Sequence, residues 1–144
     1  MTLVINMDNL NSSTFSYGRG YVYSLQYHMV WCVKYRRPVI VGEIEQTLKD
    51  VIMQTARQLG VNVVALETMP DHVHLLVDCT PQHYIPDIIK VFKGNGARLL
   101  FIEHPELKQS LWDGHLWNPS YCVATVSDRT KDQICDYINS QKRK

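Results

Sequence analysis

The spacing of apolar residues changes several times along the chain, and each spacing predicts a different element. Apolar or aromatic side chains occupy every second position over residues 21–35, which predicts a strand. Steps of three and four residues predict helices over residues 42–59 and 84–102, and N-cap candidates at Ser127 and Asp128 predict a last helix over residues 129–141. Alternating or β-branched runs predict strands over residues 61–68, 72–78 and 120–126.

This order of elements, strand-helix-strand-strand-helix-strand-helix, predicts an α+β fold. It is the order of a ferredoxin-like (RRM-like) domain, with an antiparallel sheet, helices on one face and an additional C-terminal helix. Residues 1–20 have no steady period and end in a turn-prone, glycine-containing segment, so we expect a loose N-terminal arm before a domain of residues 21–144. The fold hosts many functions and does not decide the chemistry.

Composition removes several classes of protein. At 45% hydrophobic and 20% charged residues, the chain can bury a core without disulfide support. The four cysteines form no CxxC pair, the N-terminus lacks a secretory pattern, and no apolar run approaches the roughly 20 residues that cross a bilayer. We therefore expect a cytoplasmic protein with reduced thiols and no membrane span. A net charge of +1 makes no case for a nucleic-acid partner.

His72 and His74 are two residues apart in a predicted strand. Strand alternation directs both imidazoles to one face with Leu76, opposite Val73, Leu75 and Val77. Imidazole is a common transition-metal ligand, and two of them leave coordination positions for another protein group or for substrate oxygens. An HxH motif on a strand can equally be structural, so the motif alone leaves both interpretations open.

Tyr137 and Gln141 lie one turn apart in the last predicted helix and therefore share a face. Both can be ordinary residues of an amphipathic helix. Alternatively, Tyr137 can be a nucleophile, provided that a nearby divalent cation offsets the high pKa of a phenol, which is about 10. In that interpretation Gln141 can contribute a neutral oxygen as a third metal ligand.

Small groups of basic residues are candidates for DNA contacts, although each can also be an ordinary solvated face. They are Arg36, Arg37, Lys90, Lys93 and Arg98. Gly94 and Gly96 interrupt a predicted helix, which suggests close approach of a DNA backbone or of another helix. Trp112 and Trp117 can stack on unpaired bases or cover the core.

The motifs together closely resemble the single-tyrosine HUH transposases of the smallest bacterial and archaeal insertion sequences. The resemblance extends from about Tyr23 to Gln141, and five ordered motifs carry it: Tyr27-His28-Met29-Val30-Trp31-Cys32-Val33-Lys34-Tyr35-Arg36-Arg37, Met69-Pro70-Asp71-His72-Val73-His74-Leu75-Leu76, Lys93-Gly94, Leu116-Trp117 with Ser120-Tyr121-Cys122, and Tyr137-Ile138-Asn139-Ser140-Gln141. By resemblance, His72, His74 and Gln141 are the metal ligands and Tyr137 is the nucleophile.

The resemblance implies a DNA transposase that cleaves and rejoins single-stranded DNA without water. Tyr137 would attack a phosphate held on Mg²⁺ or Mn²⁺ and form a 5′-phosphotyrosine, and the partner would be DNA with hairpins at the element ends. Each subunit has one such tyrosine, whereas excision needs two cleavages, so a homodimer is expected. The family also implies active sites shared between subunits.

Two other classes of function fit parts of this pattern. A domesticated transposase of dispersed repeats or a rolling-circle nickase would keep the chemistry and change its biological use. A non-catalytic single-stranded DNA- or RNA-binding module would use the same sheet and aromatic side chains without any reaction. Covalent capture of DNA distinguishes the enzymes from the binding module.

Overall fold

The structure is a computed structural model that describes residues 16–18, 21–23, 25–111, 113–126 and 130–141. Its strands are β1 (Ser16–Gly18), β2 (Tyr21–Tyr23), β3 (Gln26–Cys32), β4 (Asn62–Met69), β5 (His72–Asp78) and β6 (Cys122–Thr125). Its α-helices are α1 (Gly42–Leu59), α2 (Ile85–Glu103) and α3 (Thr130–Ser140), with 3-10 turns at Lys34–Arg36 and Pro105–Ser110. The predicted helix over residues 42–59 is confirmed to the residue.

The main sheet has four antiparallel strands in the order β4-β5-β3-β6. With one helix between β3 and β4 and another between β5 and β6, this is the predicted ferredoxin-like arrangement. Central strand β5 pairs with β3 over its whole length, and Val30 lies directly opposite His74 in that register. The α+β fold class is therefore confirmed.

The hydrophobic core lies between one face of this sheet and helices α1 and α2. Core side chains of the sheet include Val73, Leu75 and Val77, all completely buried, as the alternation in β5 predicted. Leu48 and Ile52 of α1 and Ile89, Phe92 and Leu100 of α2 complete the contact. The C-terminal helix α3 packs on the opposite face, where Ile138 contacts Val30.

One predicted strand was wrong in extent. Residues 21–35 contain two separate strands, because β2 pairs with β1 in a two-stranded sheet whereas β3 joins the main sheet. Strand β3 ends at Cys32, and the chain turns at Tyr35 and Arg36, which adopt positive φ angles. Alternation of apolar residues continues through both breaks, so periodicity could not reveal them.

The N-terminal prediction is partly outside the described residues. Of the predicted loose arm of residues 1–20, the structure describes only Ser16–Gly18, which pairs with Tyr21–Tyr23. All four cysteines are free thiols, as expected. None of the described helices combines the length and apolar character that spanning a membrane requires.

Candidate active site

The two histidines of the HxH motif lie on the face of β5 that is turned away from the main core. His72 is 5% exposed and His74 is 7% exposed. Cross-strand partners share a face of the sheet, so Val30 and Glu67 flank His74, and Cys32 and Met69 flank His72. The predicted alternation of β5 is confirmed, and it places both imidazoles in one buried, partly polar environment.

Each histidine has one nitrogen in a hydrogen bond and the other without a partner. His72 Nδ1 lies 2.8 Å from Asp71 Oδ1, and His74 Nε2 lies 2.7 Å from His28 Nδ1. His72 Nε2 and His74 Nδ1 are buried and have no hydrogen-bond partner within the described part of the chain. Buried nitrogens are normally paired, so two unpartnered ones on neighbouring ligand-type side chains fit a metal ion.

The hydrogen bonds also determine which nitrogen can bind. A carboxylate only accepts, so His72 Nδ1 donates to Asp71, and in the neutral ring the lone pair is on the unpartnered Nε2. Burial, with His28 and His72 nearby, lowers the pKa of His74 to about 4. Burial also lowers the pKa of His28. At neutral pH His74 is therefore uncharged, which is the form that binds a metal.

Carboxylates near the histidines do not complete a metal site. Glu67, opposite His74, is 4% exposed, and both of its oxygens lack a hydrogen-bond partner among the described residues. Nevertheless, the described residues contain no group of three His, Cys, Asp or Glu side chains arranged to hold a metal ion. A neutral ligand such as Gln141 therefore remains the candidate for the third position.

Tyr137 lies on the same face of the sheet as the histidines. Together with Cys122 it packs against Val30 and Ile138, and Val30 is the direct cross-strand neighbour of His74. Burial raises the pKa of Tyr137 to about 12, although its hydrogen bond with Ser120 opposes this change. The phenol is therefore protonated at neutral pH.

Gln141 and Tyr137 meet at Ser120. The Oε1 atom of Gln141 accepts hydrogen bonds from Asn118 Nδ2 at 2.7 Å and from Ser120 Oγ at 3.1 Å. Because the Ser120 hydroxyl donates to an amide oxygen, its own oxygen is free to accept from the Tyr137 hydroxyl, 2.9 Å away. The structure thus forms a tyrosine cluster of Tyr137, Gln141, Ser120 and Asn118, in which the Gln141 oxygen already has two donors.

Lys93 of α2 holds the backbone of the segment that carries Asn118 and Ser120. Its Nζ donates to the carbonyl oxygens of Asn118, Pro119 and Ser120, at 2.8, 3.2 and 3.2 Å. Trp117 Nε1 donates to the carbonyl oxygen of Lys93 at 2.9 Å. Burial lowers the pKa of Lys93. Within the Lys93-Gly94 motif, Lys93 therefore has an internal structural role.

The five basic candidates for DNA contacts occupy different environments. Lys90 and Arg98 are exposed on α2, whereas Arg36, Arg37 and Lys93 are partly buried. Arg36 binds the Asp71 carboxylate, and Arg37 Nη1 donates to the carbonyl oxygen of Ser110 at 2.9 Å. The prediction that these residues contact DNA remains a prediction.

The structure favours one of the two predicted roles for Gly96 and for Trp117. A side chain at Gly96 would come within 3.3 Å of Leu48 Cδ1, so this glycine permits contact between helices α1 and α2. Trp117 is 8% exposed and belongs to the core, which favours a covering role over base stacking. Trp112 lies outside the described residues.

Sequence reasoning missed the residues that hold the predicted ligands. Asp71, His28, Asn118 and Ser120 were not assigned roles, although all but Asn118 lie within the motifs that carry the resemblance. Asp71 immediately precedes His72 in the sequence, but strand alternation alone does not predict that its carboxylate binds the histidine. Asn118 and Ser120 become recognisable only when the chain brings them to the last helix.

Comparison with known proteins identifies the family. A family model described as "Transposase IS200 like" matches residues 21–141. The chain belongs to the IS200-like transposase family. This confirms the resemblance to single-tyrosine transposases, and it makes the protein a DNA-processing enzyme of that family.

Individual relatives agree with this assignment. The chain is 56% identical over 127 residues to the ISDra2 transposase TnpA of Deinococcus radiodurans, covering 88% of this chain and 91% of the relative. It is 27% identical over 119 residues to the transposase for insertion sequence element IS200 of Salmonella typhimurium, covering 83% and 78%.

Solved structures give the same result. A transposase structure from Deinococcus radiodurans R1 superimposes with a TM-score of 0.84 at 55% identity, covering 88% of this chain and 97% of that one. A REP-associated tyrosine transposase bound to a REP hairpin superimposes with a TM-score of 0.56, covering 89% and 73%. At 17% identity, the second similarity supports the fold alone.

Proposed function

We propose that this transposase cleaves and rejoins single-stranded DNA at insertion-sequence ends through a covalent bond to Tyr137. The observation that carries the proposal is the pair of buried, unpartnered nitrogens, His72 Nε2 and His74 Nδ1, on the same sheet face as Tyr137. Both nitrogens belong to imidazoles, which are metal ligands, and both lie on one face of one strand, which supports a metal role over a structural one. A nucleic-acid-binding module without chemistry would need neither these nitrogens nor a tyrosine on the same face.

The residues fit a divalent cation, Mg²⁺ or Mn²⁺. His72 and His74 would hold it through their unpartnered nitrogens, and Gln141 would supply an oxygen once that atom exchanges its bonds from Asn118 and Ser120. Asp71 and His28 orient the two rings through the other nitrogens. When bound, the ion polarises the scissile phosphate and stabilises the charge that develops on it.

Tyr137 is the proposed nucleophile. Its phenolic oxygen forms a bond to phosphorus while the bond to the 3′-oxygen breaks, leaving a 5′-phosphotyrosine and a free 3′-hydroxyl. The phenol loses its proton as this bond forms and the leaving 3′-oxygen gains one, so the proton balance closes; Ser120 Oγ, 2.9 Å from the phenolic oxygen, orients the phenol by a hydrogen bond. Attack of another 3′-hydroxyl on the phosphotyrosine then rejoins DNA and restores the tyrosine.

The proposed DNA partner is a single strand that carries hairpins at the element ends. A relative of the same fold is bound to a REP hairpin. In this chain, a groove of about 560 Å³ beside α2 is lined by Lys90, Lys93, Trp117 and Tyr121 among others. Tyr121 is 39% exposed, and Lys93 Nζ lies 5.8 Å from its ring centroid. Lys90 is an exposed cation and Tyr121 carries an exposed ring, which suit a phosphate backbone and an unpaired base.

The deciding experiment is covalent capture. Labelled single-stranded element ends are incubated with the protein and Mg²⁺, and a protein-DNA adduct is expected on a denaturing gel. Tyr137→Phe should remove the adduct and keep hairpin binding, whereas Tyr84→Phe, at a 66% exposed tyrosine before α2, should behave as wild type. An adduct of normal yield from Tyr137→Phe, or full cleavage in EDTA, would contradict the proposal.

A homodimer is part of the proposal, because excision needs two cleavages and each chain has one proposed nucleophile. Active sites shared between subunits are also proposed, in which α3 of one subunit would serve the histidines of the other. In the structure, α3 contacts Val30 and Arg36 of its own chain. With shared sites, α3 would make the same contacts with the other subunit.

Complementation distinguishes shared sites from separate ones. Tyr137→Phe protein is co-expressed with the double variant His72→Ala, His74→Ala, and heterodimers are purified with two tags. Shared sites give one intact site per heterodimer and recover strand cleavage. Separate sites leave both sites broken, so inactive heterodimers that still bind DNA would contradict sharing.

A further inference from the structure

Arg36 lies between the histidines and the helix that carries Tyr137. Its Nε and Nη2 atoms both lie 2.9 Å from Asp71 Oδ2, and its Nη1 donates to the carbonyl oxygen of Ile138 at 3.2 Å. The arginine side chain is only 15% exposed. One guanidinium therefore joins two parts of the chain that are 67 residues apart, as the numbering of Asp71 and Ile138 shows.

Asp71 transmits this contact to a proposed metal ligand. One carboxylate oxygen accepts from Arg36 and the other accepts from His72 Nδ1 at 2.8 Å. A carboxylate held at both oxygens cannot rotate, so the His72 ring keeps its tautomer and orientation. Arginine suits this role because its planar fork presents several donors in fixed directions, which lysine does not.

Ile138 transmits the contact to the proposed nucleophile. It follows Tyr137 directly and lies in the last turn of α3, where carbonyl oxygens have no partner within the helix. A cation at this end is favourable both as a donor and for the helix dipole. The Arg36 bond therefore holds the turn of α3 from which the phenol projects.

The backbone at Arg36 is strained in a way that fits a functional position. Tyr35 and Arg36 have φ angles of 57° and 51°, in the left-handed region that residues with a Cβ atom rarely adopt. Backbone bonds from Val33 N to Asp71 O and from Ile40 N to Pro70 O, both 2.9 Å, tie this segment to the turn before β5. Such strain persists where the surrounding structure requires it, and it is common at active sites.

We propose that Arg36 is a positioning residue that aligns both halves of the active site, His72 through Asp71 and the Tyr137 helix through the carbonyl oxygen of Ile138. The inference rests on the proposed function, since it takes His72 as a metal ligand and Tyr137 as the nucleophile. It assigns Arg36 an internal role instead of the phosphate contact that its charge alone suggests.

The test uses full-length protein without DNA and measures the two halves separately. Mn²⁺ affinity is measured by electron paramagnetic resonance, and hydrogen exchange of residues 130–141 is measured in metal-free protein. Arg36→Ala should weaken Mn²⁺ binding about tenfold, the lower end of the loss on removing a ligand's partner, because Arg36 acts on His72 through that partner, Asp71. It should also accelerate exchange in α3 about tenfold, as loss of a charged hydrogen bond does.

Companion variants separate positioning from charge and from general stability. Arg36→Lys keeps the positive charge but not the planar guanidinium, so neither Mn²⁺ affinity nor α3 exchange should return fully to the wild-type value. If Arg36→Ala does not fold, Arg36→Lys is compared with wild type instead. Asp71→Asn should weaken Mn²⁺ binding while changing α3 exchange less. Arg57→Ala, which removes an exposed charge from α1, should leave both measurements unchanged.

The outcomes distinguish this inference from the proposed function. If wild-type protein binds Mn²⁺ through His72 and His74 but Arg36→Ala changes neither affinity nor α3 exchange, the positioning role is wrong. Complete restoration by Arg36→Lys would also overturn it in favour of charge alone. If wild-type protein binds no Mn²⁺, the proposed metal site fails and the metal half of the inference with it, whereas α3 exchange still decides the helix half.

Discussion

The two faces of strand β5 bury different kinds of side chain, apolar on one face and partly polar on the other. On one face Val73, Leu75 and Val77 are fully buried under α1 and α2 in a continuous apolar core. On the other, His72 and His74 are almost as buried but keep nitrogens without partners. Burial that leaves polar atoms unsatisfied costs stability, so we infer that the second face is kept for chemistry and the first for folding.

The largest effect is expected from removing both histidines of the polar face. His72→Ala combined with His74→Ala should reduce DNA cleavage and adduct formation to the level of a protein-free control, because the proposed metal loses both nitrogen ligands. Hairpin binding should remain, since the ligands hold the scissile phosphate and not the folded DNA. Gel assays of cleavage and binding on the same preparation measure both, and cleavage at the wild-type rate would contradict the assignment of the face.

The next largest effect is expected from a substitution on the apolar face of β5, at Leu75, which directly follows His74. Leu75→Ala should lower the free energy of unfolding by about 2–5 kcal/mol, because it leaves a cavity in the core next to completely buried neighbours. Urea unfolding followed by circular dichroism measures the loss. Protein that remains folded should still form the adduct, and a selective loss of chemistry with unchanged stability would contradict the separation of the faces.

Two glycines in α2 sharpen the description of the core side. Gly94→Ala should stabilise the protein by about 0.5–1 kcal/mol, because a helix interior prefers alanine and nothing lies within 4 Å of the new methyl group. Gly96→Ala should stabilise the protein less than Gly94→Ala or destabilise it, because its methyl group would meet Leu48 Cδ1 at 3.3 Å. Thermal unfolding of the two variants measures the difference in stability. A larger gain in stability from Gly96→Ala than from Gly94→Ala would show that α1 and α2 pack less closely than described.

The smallest effect is a pH dependence of the polar face. Burial lowers the pKa values of His28 and His74 below the unfolded value near 6.5, with His74 at about 4. The unfolded chain then binds more protons in this range, so their contribution to stability is complete above pH 6.5 and is lost as the pH falls toward 4. Urea midpoints at several pH values should show this decline.

A matched variant isolates the histidines from other groups. Burial raises the pKa of Asp78, and a raised carboxyl pKa changes stability in the opposite direction, since the folded state then binds more protons as the pH falls. The double variant His28→Gln, His74→Gln should therefore show a weaker loss of stability on acidification than wild type. Equal slopes for the two proteins would mean that these histidines do not titrate as expected.

Much of the fold was predictable because it depends on local spacing. The positions of Leu48, Val51 and Ile52 predict α1, and alternation assigns His72 and His74 to one face of β5, as found. The division of residues 21–35 into two strands was not predictable, because pairing with Ser16–Gly18 or with β5 depends on which segment lies alongside. Periodicity reports which face is buried but not the partner that buries it.

The sequence by itself determined the residue types of the candidate site, the face of the strand that carries the histidines and the family to which the chain belongs. Only the tertiary structure decided how those residues are held, with Ser120 between Tyr137 and Gln141, and Arg36 between Asp71 and Ile138. The physical reason is that strand and helix periods act over a few residues. Hydrogen bonds between segments 17 to 102 positions apart depend on the assembled sheet and its packed helices.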